Sequence, residues 1–114
     1  MSECLFCKIV AGEIPSNKVL ENENFIAFHD INPVAKVHVL VIPKKHVANI
    51  AHLTDKNESY VDGMLSFIRD VAKELGISAD GYRVILNTGA KAGQTVFHLH
   101  AHVLGGQEFG WPDA

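Results

Sequence analysis

The 114-residue chain lacks any apolar run near the roughly 18 residues that a membrane-spanning helix needs. It also lacks a dominant charge. Ten Lys and Arg stand against thirteen Asp and Glu, a formal net charge of -3. That leaves no basic field to gather nucleic acid or anionic lipid, so neither nucleic acid nor membrane is an expected partner. The opening residues Met1-Ser2-Glu3-Cys4 lack the basic and apolar regions of a secretory signal, and a cytoplasmic location is the expectation. Cysteine is scarce, with two residues spaced as Cys4-x-x-Cys7. In a reducing compartment this spacing reads as half of a metal site or a redox pair, rather than a structural disulfide. No long linker, low-complexity tract or internal repeat divides the chain, and residues 1–114 are expected to form one domain.

Histidine is what the chain has in excess: seven residues, where average composition gives roughly two or three. Three of them alternate in Val96-Phe97-His98-Leu99-His100-Ala101-His102-Val103. Alternation with β-branched and aromatic residues predicts a strand running to about Leu104. Successive side chains of a strand point to opposite faces. Phe97, Leu99, Ala101 and Val103 are therefore expected to face a core, with His98, His100 and His102 in a row on the other side.

The remaining pattern predicts a helical turn over Leu5 to Ala11 and strands within Val19 to His29, broken by a turn at Asn22-Glu23-Asn24. Further strands are predicted over Val37 to Ile42, ended by Pro43, and over Tyr82 to Asn87. One long helix is expected from about Asp55 to Leu75. Its apolar stripe would be Tyr60, Val61, Met64, Leu65, Ile68, Val71, Ala72 and Leu75, with Thr54 or Asp55 as its cap and Gly76 just past its end. Strands outnumber helices, so the expected fold class is α+β: a mostly antiparallel sheet with one long helix on one face. The other face is left to carry a site.

Ahead of the histidines lies the loop Asn87-Thr88-Gly89-Ala90-Lys91-Ala92-Gly93-Gln94-Thr95. Glycines let backbone N–H groups approach an anion with no Cβ in the way, and Thr95 and Asn87 add a hydroxyl and an amide. Such a loop feeding a row of histidines suits phosphate chemistry. The loop supplies donors, one neutral imidazole is a nucleophile, and a second, protonated one stabilises charge on the phosphorus oxygens. A rival reading makes the three histidines ligands of one catalytic metal. It lacks a well-placed carboxylate, because the nearest downstream is Glu108, past two glycines.

The run His98-Leu99-His100-Ala101-His102-Val103-Leu104 resembles the histidine-triad signature. Phe28-His29-Asp30-Ile31-Asn32-Pro33, Val41-Ile42-Pro43-Lys44-Lys45-His46, Gly93-Gln94-Thr95-Val96 and Leu104-Gly105-Gly106 with Trp111-Pro112 match that superfamily's other landmarks. The likeness spans nearly the whole chain and is closest to the histidine-triad nucleotide-binding, Hint-like phosphoramidase branch. It implies a homodimer that binds a purine nucleoside monophosphate and hydrolyses its phosphoramidate or acyl conjugates at the α-phosphorus. His100 would be the nucleophile and form a nucleotidyl-histidine. His102 would contact phosphate oxygens, and His98 would order the site. Thr95 stands where this branch often has serine. Asp30 would take the ribose hydroxyls. Leu5, Phe6, Ile9, Phe28 and Ile31 would sandwich the base, and each of them reads equally well as core. Asn87, Gly93 and Gln94 would complete the nucleotide site, with His38 near the triad and Trp111 toward the leaving group.

The same resemblance implies a structural zinc on Cys4, Cys7, His46 and His98, because other histidine-triad proteins carry the cysteine pair and bind zinc with it. No organic cofactor is expected. The alternatives are a dinucleoside polyphosphate hydrolase of the same superfamily and a non-catalytic purine-nucleotide sensor. His102, where the superfamily's transferases carry glutamine, favours hydrolysis.

Overall fold

The structure, a computed structural model, describes residues 3–111, and Pro112 of the tail motif lies outside them. The elements are α1 (Leu5–Val10), β1 (Lys18–Glu21), β2 (Phe25–His29), β3 (Val37–Pro43), α2 (Met64–Glu74), β4 (Arg83–Ile85) and β5 (Ala101–Gly105). Five strands make one sheet in the order β1-β2-β3-β5-β4, antiparallel at every junction. This is the expected α+β architecture.

The sheet has two unlike faces. Phe25, Ala27, Val39, Val41, Ala101 and Val103 pack beneath Met64, Phe67, Ile68, Val71 and Ala72 of α2. The intervening residues Ile26, Phe28, Leu40 and Ile42 pack beneath Phe6 and Ile9 of α1. Each fully buried aliphatic or aromatic side chain contributes on the order of 2 kcal/mol. The second face is therefore not bare, since α1 covers part of it. In the β3–β5 register Leu40 stands opposite His102, and His38 opposite Leu104. Cross-strand partners share a face, so His38 and His102 lie on the α1 side.

The long helix is shorter than its sequence predicts. Gly63 has φ +81 and ends the preceding segment, so α2 starts at Met64 without a side-chain cap. Upstream, the Asn57 side chain accepts from Thr54 N–H and donates to the His52 carbonyl. That closes a local turn where Thr54 or Asp55 was expected to begin a helix. The stripe is Met64, Phe67, Ile68, Val71 and Ala72, with Tyr60, Val61 and Leu75 packed beside it. Leu65 is 76% exposed and does not belong to it. Gly76 does end the helix: its N–H meets the Lys73 carbonyl, and Ile77 N–H meets that of Ala72. This pair of bonds satisfies two terminal carbonyls and needs the φ of +73 that Gly76 supplies.

The histidine run is strand only from Ala101 onward. Continued pairing would set Leu99 against Pro43, which has no N–H for the ladder. Leu99 N–H bonds instead to the Val47 carbonyl at 2.7 Å. Leu99 still reaches the main core, whereas Phe97, expected there, is 46% exposed.

Candidate active site

Where the ladder stops, three histidines turn inward. His98 and His100 are buried, and His102 is half-buried on β5. The protons of these rings can be placed from their fixed partners. His98 Nε2 lies 2.8 Å from the Pro43 carbonyl, which can only accept. The proton is therefore on Nε2, and Nδ1 carries a lone pair. His100 Nδ1 lies 2.7 Å from the His98 carbonyl. Here Nδ1 donates, and Nε2 keeps its lone pair. Phe6 of α1 stands edge-on to the His100 ring at 5.0 Å between centroids.

On one side of His100, Val34 N–H donates to His38 Nδ1 at 3.0 Å. His38 therefore carries its proton on Nε2. That atom is 2.9 Å from His102 Nδ1 and 3.3 Å from Asp30 Oδ2. His102 Nδ1 accepts, so its outward Nε2–H is a donor. Asp30 is held at the end of β2 by its own turn, with Oδ1 accepting from Asn32 N–H at 2.8 Å. Burial pushes His102 down to about 4 and also lowers His38 and His100, against a smaller upward pull from Asp30. All three rings are neutral near pH 7. The protonated partner imidazole expected from the sequence is thus replaced by a neutral N–H donor.

On the other side, the His98 Nδ1 lone pair points at Cys4 Sγ (3.4 Å), Cys7 Sγ (3.5 Å) and His46 Nδ1 (3.2 Å), and Cys7 Sγ is 3.3 Å from His46 Nδ1. Four ligand atoms, all within 4.8 Å of one another, are close enough to hold a metal ion. Tetrahedral zinc bonds of about 2.05 Å to nitrogen and 2.3 Å to sulfur imply edges of about 3.3 and 3.6 Å. The observed spacings fall within about 0.3 Å of these. The Pro43 carbonyl behind His98 is the second partner that metal-bound imidazoles ordinarily have. Without a cation, burial and the neighbouring Cys4 push the Cys7 thiol up to about 11.

The other expected site residues divide. Phe6, Ile9 and Phe28 are buried together with Ile26, Leu40 and Ile42 beside the histidines. Leu5 is 45% and Ile31 92% exposed, so neither is part of that apolar wall. Asn87 is half-buried, its Nδ2 3.8 Å from where a Cβ on Gly93 would lie. Trp111 is 91% exposed. Thr95 is exposed and lines a cavity of about 420 Å³ with Leu5, His46, Val96 and Phe97. Gln94 is the clearest departure. Its side-chain oxygen accepts from Gly89 N–H and Asn49, and its nitrogen donates to the carbonyls of Ala48 and Val96. The amide holds the loop and has no capacity left for a nucleotide. Asn49 and His52, which bonds to it, were not singled out from the sequence as part of this region. An isolated Asn carries no pattern, and His52 reads as a surface residue.

A family model described as the HIT domain matches residues 11–109. A HIT-like protein of Helicobacter pylori is 48% identical over 104 residues, covering 91% of this chain and 97% of that one. The structure of a HIT family hydrolase from Clostridium thermocellum superposes with a TM-score of 0.94 at 46% identity, covering 100% of this chain and 99% of that one. A histidine triad nucleotide-binding protein from Candida albicans gives 0.79 at 36% identity, covering 98% and 85%. The alternating histidines, their sheet face and these likenesses agree, and the chain belongs to the HIT, or histidine-triad, family.

Proposed function

We propose that this chain is a nucleotide hydrolase that cleaves purine nucleoside phosphoramidates, or related acyl adenylates, at the α-phosphorus through a covalent nucleotidyl-His100. The carrying observation is the 2.7 Å bond from His100 Nδ1 to the His98 carbonyl. It fixes the tautomer whose free Nε2 is nucleophilic, in a ring that burial keeps neutral.

In the first step an Nε2–P bond forms and the P–N bond to the leaving group breaks. The amine departs with a proton from solvent, relayed by the Thr95 hydroxyl. The phosphorylated ring is then cationic, and its Nδ1–H shares that charge with the His98 carbonyl. In the second step water attacks phosphorus, the Nε2–P bond breaks, and the excess proton returns to solvent. His102 Nε2–H donates to the phosphate oxygens throughout. Asp30 accepts from the ribose hydroxyls. Phe6, Ile9 and Phe28 offer an apolar surface to the base, and Thr95 stands on the side of the leaving group. Likeness to a HIT family hydrolase and to a histidine triad nucleotide-binding protein supports this reading.

Cys4, Cys7, His46 and His98 would hold a structural zinc ion, which when bound ties α1 to the chain at residues 46 and 98. A homodimer is also proposed. The exposed Leu65 on α2 and Val84 on β4 offer apolar surface for it.

His100→Ala tests the reaction. Turnover of adenosine 5′-phosphoramidate should fall by about 10³ or more, with adenylate affinity by calorimetry within a few-fold of the parent. Acid quench of the wild type should trap adenylate on His100. An undiminished rate in the variant refutes the mechanism.

A further inference from the structure

Asn49 and Gln94, forty-five positions apart, form a buried amide pair at 4% and 3% exposure. One fixed donor orients the whole network. Gly89 N–H lies 2.9 Å from Gln94 Oε1, so that atom is the oxygen. The Asn49 atom 3.0 Å from it must then be the amide nitrogen. The Asn49 oxygen therefore faces His52 Nδ1 at 2.8 Å, and His52 donates. Gln94 Nε2 donates to Ala48 at 2.7 Å and Val96 at 3.1 Å.

These bonds close the loop ahead of the triad. Gly89 and Gly93 take φ of +92 and +100, and Gln94 N–H returns to the Gly89 carbonyl at 3.1 Å. The segment 96–100 lies outside the sheet ladder, and Leu99 is hung on the Val47 carbonyl. Residues 47–49 are therefore the template against which 89–99 is laid. Thr95 sits between Gln94 and Val96, which the same amide grips.

We propose that Asn49 is a positioning residue: through Gln94 it fixes where Thr95 presents its hydroxyl to the departing group. This rests on the phosphoramidase reading above. Asn49→Asp keeps the shape, removes the donor and sets a carboxylate against the Gln94 oxygen. Thr95→Val keeps the shape of the threonine and removes its hydroxyl.

The experiment compares wild type, Asn49→Asp, Thr95→Val and the double variant on adenosine phosphoramidates of amines of graded basicity. Asn49→Asp should lower kcat about tenfold for the most basic amine, with a smaller loss for the least basic. KM should stay within about twofold, and in the Thr95→Val background the second change should add little. Equal losses for every amine, or losses that multiply in the double variant, overturn the proposal.

Amide hydrogen exchange on the ligand-free protein provides a readout that needs no turnover. Asn49→Asp should speed exchange at Gly89 and Gln94 about tenfold or more while α2 is unchanged. Unchanged exchange at both amides overturns the positioning role whatever the activity. If the wild type turns over no phosphoramidate, the proposed reaction fails and the exchange result alone decides whether Asn49 holds the loop. If Asn49→Asp does not fold, Asn49→Ser carries the same measurements.

Discussion

His100 stands between two histidine clusters that look alike in sequence and differ in chemistry. On one side His38 and His102 meet at 2.9 Å, with one ring donating and the other accepting and Asp30 at hand. On the other side His46 and His98 meet at 3.2 Å, ring edge to ring face, with Cys4 and Cys7 completing the group. The first spacing is a hydrogen bond. The second set of spacings matches the edges of a coordination tetrahedron. A fixed backbone partner decides the difference in each case. Val34 N–H takes the His38 Nδ1 lone pair, whereas the Pro43 carbonyl takes the His98 proton and turns its lone pair toward sulfur. Clusters of the same residue type thus differ in where their ring lone pairs point, according to which backbone atom stands behind the ring.

The comparison breaks most visibly on the cysteine side. Cys7→Ser should abolish stoichiometric zinc in the purified protein and destabilise it by about 3 kcal/mol or more, since structural metal binding is folding free energy. Metal analysis and thermal melts check this. Less than about a tenth of an equivalent of zinc in unchelated wild type would count against the metal reading and leave the hydrogen-bond cluster untouched.

On the opposite side, His38→Phe removes the donor that orders His102. Turnover should fall about 10- to 100-fold, with zinc content and the Cys7 environment unchanged. A loss of metal in this variant would show that the two clusters are not separate.

The smallest effect is in pH. Burial lowers His100, so the acidic limb of kcat/KM should lie below the ordinary histidine value of about 6.5. Stability follows the same sign. His102 is lowered to about 4, so its neutral form stabilises the fold fully above about pH 6.5, and that contribution is lost as pH falls toward 4. The loss is up to about 3 kcal/mol. Melting temperatures from pH 7 to 4 should fall more steeply in wild type than in His102→Phe. Parallel slopes would remove the assignment.

Much of the fold was legible because its signals are local. The short apolar runs Phe25–Phe28 and Val37–Ile42, bounded by turn signals and Pro43, mark two strands, and Gly76 marks a helix end that the structure closes with two bonds. The helix start was not legible, because Asn57 and Gly63 act through a turn and a positive φ that the apolar stripe of 55–75 masks. The histidine run reads as strand throughout for a related reason. The interruption lies in Pro43, on another strand, and no pattern within 96–104 carries it. At the site, the sequence pointed to His98, His100, His102, Asp30 and His38 as one neighbourhood. The inward turn of the Gln94 amide is not legible in it, because a buried amide and an exposed one are the same residue until its partners are known.

The period of the elements, and with it which residues share a face of the sheet, follows from residue order alone. Period is a property of neighbours along the chain. Tertiary structure decided which nitrogen of each histidine holds the proton, where the β5 ladder stops and which amide holds the triad loop. The His98 proton, the end of the ladder and the loop amide depend on Pro43, Val47 and Ala48, brought in from a distant segment, whereas the His38 and His100 protons are set by the nearby Val34 N–H and His98 carbonyl, and hydrogen bonds discriminate by position within a few tenths of an ångström.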